Sequence, residues 1–338
     1  MFERHSATAH AAYHDLLRSL QDDAASDIRG APTRVERNGK VYWYDTFRIG
    51  SDVRKRYIGE DSTELQARLA KHQELKEEAD SRRKKRTRLV RLLRAEGFLG
   101  LDAATGSLLS ALAASGVFRL GGTIVGTHAF RLYEGELGVR FDMDMTAQTD
   151  DIDIASFSRL SLALEDAASP PLEEVFRDLS FAPQPSLPDC RTWRWKQTRS
   201  NTLVEFLTPS FEAAESLQEL PSLGVNAQAL HHLNYLIAAP IKAVVTYRSG
   251  VLVQIPQPER FAIHKLIVAA RRRTGEDTLK SEKDRRQAAF LIKVLIEDRP
   301  DELRDAYQDA ISRGPRWQSR IKTSLARMPE TAITLAAL

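Results

Sequence analysis

A single cysteine, Cys190, in 338 residues leaves no partner for a disulfide and no thiolate set for a zinc cluster, as expected of a reducing compartment. Long hydrophobic runs are missing too. No stretch reaches the roughly 18 uninterrupted apolar residues of a membrane helix, and the opening Met-Phe-Glu-Arg-His-Ser lacks the basic-then-apolar signature of a secretory leader. An excess of one charge is also lacking: 49 Lys and Arg face 46 Asp and Glu, so affinity for nucleic acid would have to come from clustering of charge. His231 and His232 have no Cys or His at zinc spacing, and neither internal repeats nor low-complexity tails occur. What is present is a 42% hydrophobic chain long enough for more than one domain. It reads as a soluble cytoplasmic protein.

Residues 2–25 read as a helix, with Ala12, Leu16, Leu17 and Leu20 at helical spacing. From Val35 to Gly59 the period changes to strand-like alternation, with turn signals at Asn38-Gly39 and Gly50-Ser51-Asp52, which predicts a meander of about three strands. Asp61 and Ser62 offer N-cap oxygens to a long polar helix, roughly 62–96, ended by Gly97 and Gly100. Beyond residue 100 the order is an Ala/Leu-rich helix at 101–115, a short strand Val117–Leu120, and Gly121-Gly122-Thr123 opening a helix to about Tyr133. Residues 134–149 read as an irregular insertion and 183–189, with three prolines, as a loop. Strands are expected at 151–154, 191–196 and 202–207, and a hairpin at 243–255. Everything from Glu259 onward is expected to be helical.

The sharpest local signal is Asp151-Ile152-Asp153-Ile154. On a strand, i and i+2 share a face, so the two carboxylates stand side by side above a buried isoleucine pair. Adjacent like charges repel unless a cation lies between them, and carboxylate oxygens are the hard ligands that magnesium takes in phosphoryl and nucleotidyl transfer. Chance supplies roughly one acid-apolar-acid-apolar tetrad in such a chain, so the surroundings must decide. Upstream, Gly121-Gly122 after an apolar strand is either a plain tight turn or a phosphate-holding one, where free N–H groups at a helix start meet phosphate oxygens. Downstream, Glu205 is a lone acid in the apolar run Thr202–Leu207, and it either is paired, ligates a metal, or sits at a strand end. Asp142 and Asp144 form a competing acid pair.

Gly121-Gly122, the Asp151-Ile152-Asp153 pair and a later single acid on a strand together resemble the nucleotidyltransferases of the DNA polymerase β-like superfamily, over about residues 115–298. The likeness is nearest to the bacterial branch of uncharacterised and toxin-type members. It implies an α+β fold with a polymerase β-like core, a mixed sheet with flanking helices. It also implies a nucleoside triphosphate substrate, Mg2+ or Mn2+ as cofactor, and transfer of a nucleoside monophosphate to a hydroxyl or phosphate of RNA, protein or a small molecule. For a toxin-type member it implies an antitoxin partner. By the same resemblance Asp151, Asp153 and Glu205 are catalytic and metal-holding, Gly121, Gly122 and Thr123 hold phosphates, and Lys265 and Asp284 on two later helices complete the nucleotide site. The distance from Gly122 to Asp151, 29 residues, exceeds the usual spacing, the surplus being the 134–149 insertion.

Eight basic residues crowd between Arg82 and Arg94. With Tyr42, Trp43, Tyr44 and Tyr57 nearby in sequence, Arg82, Arg83, Lys84, Lys85 and Arg86 resemble a nucleic-acid-contacting face. The meander is also similar to small sheets at the N-termini of some transposases and integrases. The competing expectation is that the aromatics fill a minor core while the charges solvate a long helix. The predicted organisation is an accessory module (1–99), a nucleotidyltransferase core (100–255) and a C-terminal helical region (256–338). The alternative function is a nucleic-acid-binding protein with a catalytically silent nucleotidyltransferase-like body.

Overall fold

The computed structural model describes residues 2–24, 31–49, 52–141, 151–163, 166–186, 191–272 and 277–338. Cys190, Asp142 and Asp144 lie outside them. The chain begins with α1 (Ala7–Ala24), started by Ser6 Oγ accepting from the Ala9 amide at 3.1 Å. A three-stranded antiparallel meander follows: β1 (Ala31–Arg37), β2 (Lys40–Ile49) and β3 (Asp52–Glu60). Asn38 and Gly39, both at positive φ, make the two-residue turn that the Asn-Gly signal predicts. Ser62 Oγ then accepts from the Leu65 amide, and the polar helix runs as two consecutive pieces, α2 (Thr63–Glu77) and α3 (Ala79–Ala95), meeting at Glu78. Trp43 and Ile58 on one face of the meander pack on Leu65 and Leu69 of α2.

Asp102 caps α4 (Ala103–Ala114) by accepting from the amides of Ala104 and Thr105. The expected strand Val117–Leu120 is instead a series of turns. Gly116 and Gly121 take positive φ, the local amides bond back to Leu112, Gly116 and Val117, and among the described residues the segment joins no ladder. The strand comes later, as β4 (Thr123–Val125), so Thr123 opens a strand and not a helix. The helix α5 (Gly126–Leu137) begins at Gly126 and ends at the left-handed cap Gly138, so the first four residues of the expected insertion complete this helix.

Next come β5 (Asp151–Ala155), α6 (Ser158–Ala163), α7 (Leu172–Asp178), β6 (Phe181–Pro185) and β7 (Thr192–Gln197). Pro183 and Pro185, expected in a loop, sit in β6. Among the described residues β6 pairs with β7 alone, and a strand paired on one side tolerates proline's missing donor. The remaining elements are β8 (Leu203–Pro209), β9 (Leu217–Leu220), β10 (Val225–Leu230), α8 (Leu233–Leu236), β11 (Ile241–Val245) and β12 (Val251–Ile255). Helices α9 (Pro258–Arg271), α10 (Asp277–Asp298), α11 (Pro300–Ser312), α12 (Pro315–Leu325) and α13 (Pro329–Ala336) close the chain, as the sequence predicts.

The central mixed sheet has the order β4-β5-β8-β10-β9, with β7 sharing the β8 edge with β10 and carrying β6 beyond it. β5 and β8 run parallel, and β4 runs antiparallel to β5. Ile152, Ile154, Val204 and Phe206 are fully buried on one face, where Phe206 meets Phe176 of α7 and Trp195 of β7. Helix α9 buries Phe261, Leu266 and Ile267, each stabilising by about 1.5–3 kcal/mol, and packs on α10, α11 and α12.

The N-terminal helix is tied into this body. The buried Tyr13 hydroxyl accepts from the Val244 amide at 3.2 Å, and its ring lies where a Cβ on Gly135 would stand, 2.2 Å away. Gly135→Ala should therefore destabilise by about 1–3 kcal/mol despite alanine's better helix propensity, because the ring has no space to yield. A lowered urea midpoint at unchanged slope would show it.

Candidate active site

The parallel register of β5 and β8 sets Asp153 directly beside Glu205. The antiparallel β7 puts Arg194 across from Glu205, and β4 puts Val125 across from Asp153. Paired residues share a face, so Asp153, Glu205 and Arg194 stand in one row across three strands, with Asp151 two residues along on the same side. Ile152, Ile154, Val204 and Phe206 point into the core, and this alternation forces all three acids to the opposite face. Arg194 Nη1 lies 3.8 Å from Glu205 Oε1.

These carboxylates repel. Burial, then Glu205, then Asp151 push the Asp153 carboxyl up to about 7, against the relief offered by Lys265 and Arg272. Glu205 is also raised, by burial and by Asp151, with Arg194 opposing. Asp151, at the strand start, is exposed.

Lys265, on α9, is buried and donates to Asp284 Oδ1 of α10 at 2.5 Å, while Arg272 at the end of α9 donates to Asp284 Oδ2 at 2.7 Å. Asp284 thus holds two cations beside the carboxylate row. Burial and the neighbouring cation Lys265 pull the Lys283 ammonium down. The structure therefore brings Asp151, Asp153, Glu205, Lys265 and Asp284 together from four elements distant in sequence.

It does not bring Gly121 and Gly122 there. Thr123 pairs with Ala155, so the two glycines lie beyond the far end of β5, against Leu160 and Val117. At about 3.3 Å per residue they are roughly 10 Å along the strand from Asp153. Thr123 is buried on β4, and its hydroxyl accepts from Gln254 Nε2 at 3.0 Å. The glycine that does meet the site is Gly126. It sits at φ +67° where β4 turns into α5, and a Cβ on it would stand 2.6 Å from Asp153 Oδ2. The first amides of a 12-residue helix therefore open next to the carboxylate. The signal was present in sequence: Thr123-Ile124-Val125 is a β-branched run that ends at Gly126 and leaves 25 residues to Asp151.

His128, in the first turn of α5, was also missed. Its buried ring donates to the Asp151 carbonyl, and burial together with Arg131 lowers its pKa to about 4, so it is neutral at physiological pH. Arg194 and Arg272 are further site members that lay in plain basic stretches of the sequence.

The donor chemistry fits a divalent cation, since hard oxygens are held on one face and the nearby cations only partly offset their repulsion. The side chains do not stand as a closed cage: among the described residues no three His, Cys, Asp or Glu groups are gathered closely enough to hold an ion.

The basic stretch divides. Arg82 and Arg86 turn inward to Asp23 of α1, Arg82 at 2.9 Å, while Arg86 also reaches the Ser19 carbonyl. Arg83, Lys84 and Lys85 are exposed on the other side of α3. Two of the five expected nucleic-acid contacts are thus engaged in docking α3 to α1.

Residues 103–312 match the family model described as nucleotidyltransferase, and residues 11–67 match a domain of unknown function (DUF6788). Similarity extends to a solved structure, the crystal structure of an antigenic nucleotidyltransferase-like protein from Paracoccidioides brasiliensis. It has 14% identity and a TM-score of 0.33, covering 66% of this chain and 95% of that one. No curated protein matches. No helix among the described residues is long and apolar enough to cross a membrane.

The raised Asp153 carboxyl sets a pH dependence. Both states are protonated well below its ordinary value of 3.8; between there and about 7 the native state holds its proton more tightly than the unfolded chain, so stability falls as pH rises. Asp153→Asn should melt higher than the parent above pH 7 in chelator, by a margin that vanishes near pH 4. Added magnesium should narrow the gap by stabilising the parent alone.

Proposed function

Because the chain belongs to the nucleotidyltransferase family matched over residues 103–312, we propose that it moves a nucleoside monophosphate from a nucleoside triphosphate to an acceptor hydroxyl or phosphate. The acceptor would be RNA, a protein or a small molecule. The observation that supports this most is the Asp153 carboxyl, pushed up beside Glu205 and Asp151 on a sheet face that α9 and α10 line with cations. A merely structural acid would be paired; this one is crowded by its own sign.

Asp151, Asp153 and Glu205 would hold Mg2+ or Mn2+. When bound, the ion neutralises phosphate charge and lowers the pKa of an acceptor hydroxyl. The rest falls to the chain. The amides at Gly126 and Thr127 take phosphate oxygens in place of Gly121 and Gly122, which lie at the wrong end of β4. Lys265, oriented by Asp284, supplies a compact positive charge for the triphosphate, and Arg272 adds a second. The acceptor oxygen forms its bond to the α-phosphorus as the α–β anhydride bond breaks. Pyrophosphate leaves with the bonding pair, and Glu205, whose affinity for a proton is raised, takes the hydroxyl proton. Arg194 steadies the carboxylate between turnovers. Residues 100–255 would form the transferring body, closed by the helical region 256–338.

The test follows label from each α-labelled nucleoside triphosphate into total RNA and protein, with magnesium or manganese. Wild type should label one class of acceptor, whereas Asp153→Ala should fold and label none. Lys265→Ala should raise KM for the nucleotide more than it lowers kcat. Equal labelling by wild type and Asp153→Ala would overturn the proposal.

A further inference from the structure

The meander has two faces, and they are unlike. One is covered: Trp43 and Ile58 pack on Leu65 and Leu69. The other presents Tyr42, Tyr44 and Tyr57. β2 and β3 pair Tyr44 with Tyr57, and the rings stand close, Tyr44 to Tyr57 at 5.6 Å and Tyr42 to Tyr57 at 6.3 Å. Tyr57 is 54% exposed. A bulge beside Tyr44 inserts Ile58 into β3, which lets Ile58 face the helix while Tyr57 stays with the other tyrosines. A sheet already buried on its other side gains no core from three rings on its outer face, and polar residues would serve solubility better.

The charges around the rings have one dominant sign. By register Arg37, Lys40 and Lys55 share the tyrosine face, against Glu60, which Lys40 meets at 2.9 Å. Farther along the same face Thr46 and Val53 line a cavity of about 1280 Å3, and its wall includes Arg119 and Lys242. Lys242 donates to the neutral amide of Gln254 at 2.9 Å and has no carboxylate partner among the described residues.

We propose that the tyrosine face of the meander is a binding platform for single-stranded nucleic acid. Bases stack on Tyr42, Tyr44 and Tyr57, and the backbone phosphates meet Arg37, Lys40 and Lys55. Duplex nucleic acid is a poor occupant, because its bases already stack on one another and leave the rings nothing but edges and phosphates. The positive charge of Arg37, Lys40 and Lys55 beside the flat rings complements a phosphate backbone whose bases are free to stack, and this favours the single strand as occupant. The platform is separate from the carboxylate row and stands whether or not the chain transfers nucleotides.

Fluorescence anisotropy tests it on the full chain, with short labelled single-stranded RNA, single-stranded DNA and the matched duplex, in the absence of nucleoside triphosphate. Single strands should bind more tightly than duplex, and the RNA and DNA arms identify the preferred sugar. Tyr44→Ala and Tyr57→Ala should each weaken binding about tenfold, while Tyr57→Phe, which keeps the ring, should bind as wild type. Lys55→Glu should reduce affinity and flatten its dependence on salt. Asp153→Ala should bind as wild type, so loss of transfer and loss of binding are told apart. Binding that survives both alanine variants, a preference for duplex, or no binding to any of the three would overturn the proposal. Since the rings lie on the uncovered face, melting temperatures should not move. If an alanine variant does melt early, Tyr57→Phe and Lys55→Glu decide the matter.

Discussion

Like charges held side by side by a β-ladder cannot relax by moving apart. Asp153 and Glu205 are neighbours because β5 and β8 pair in parallel at that register, and slipping by one residue would turn Ile152, Ile154, Val204 and Phe206 out of the core. Apolar packing on one face thus maintains electrostatic stress on the other. The stress is lessened by Lys265 and Arg272, and these cations are expensive to bury unless paired. Asp284 is the pair for both. The close packing of α9 on α10, built on buried apolar residues such as Phe261, Leu266 and Leu291, sets Lys265 and Asp284 together.

Backbone conformation contributes as much as charge. Gly126 takes a left-handed φ at the junction of β4 and α5, and the Asp153 carboxylate occupies the space that any side chain there would need. Strand end, helix start and carboxylate therefore meet at one point, with the first turn of α5 opening beside an acid. His128 ties the next turn of that helix back to the Asp151 main chain of β5.

The N-terminal module divides its aromatic and basic residues by the same two-faced logic. Trp43 joins a minor core, as the competing expectation held, whereas the tyrosines of the neighbouring positions face outward. Arg82 and Arg86 are one helical turn apart and both reach Asp23, while the intervening basic residues remain at the surface.

The meander, the hairpin expected at 243–255 and found as β11 and β12, the closing helices and the pairing of Asp151 with Asp153 on one strand face were legible in the sequence, because each depends on local periodicity, turn residues or i, i+2 geometry. The expected strand Val117–Leu120 is turns because its amides are taken by local carbonyls, with Gly116 and Gly121 at positive φ on either side, and an apolar run becomes a strand only by bonding to a neighbour. For the same reason Gly121-Gly122 lies away from the carboxylates, and the strand that reaches Asp153 ends at Gly126. Asp284 as the joint anchor of Lys265 and Arg272, Arg194 across from Glu205, and the split of the basic stretch between α1 and solvent were decided by tertiary structure alone. Local sequence sets which side of its own element a residue faces; only the packing of elements far apart in the chain sets what that side meets.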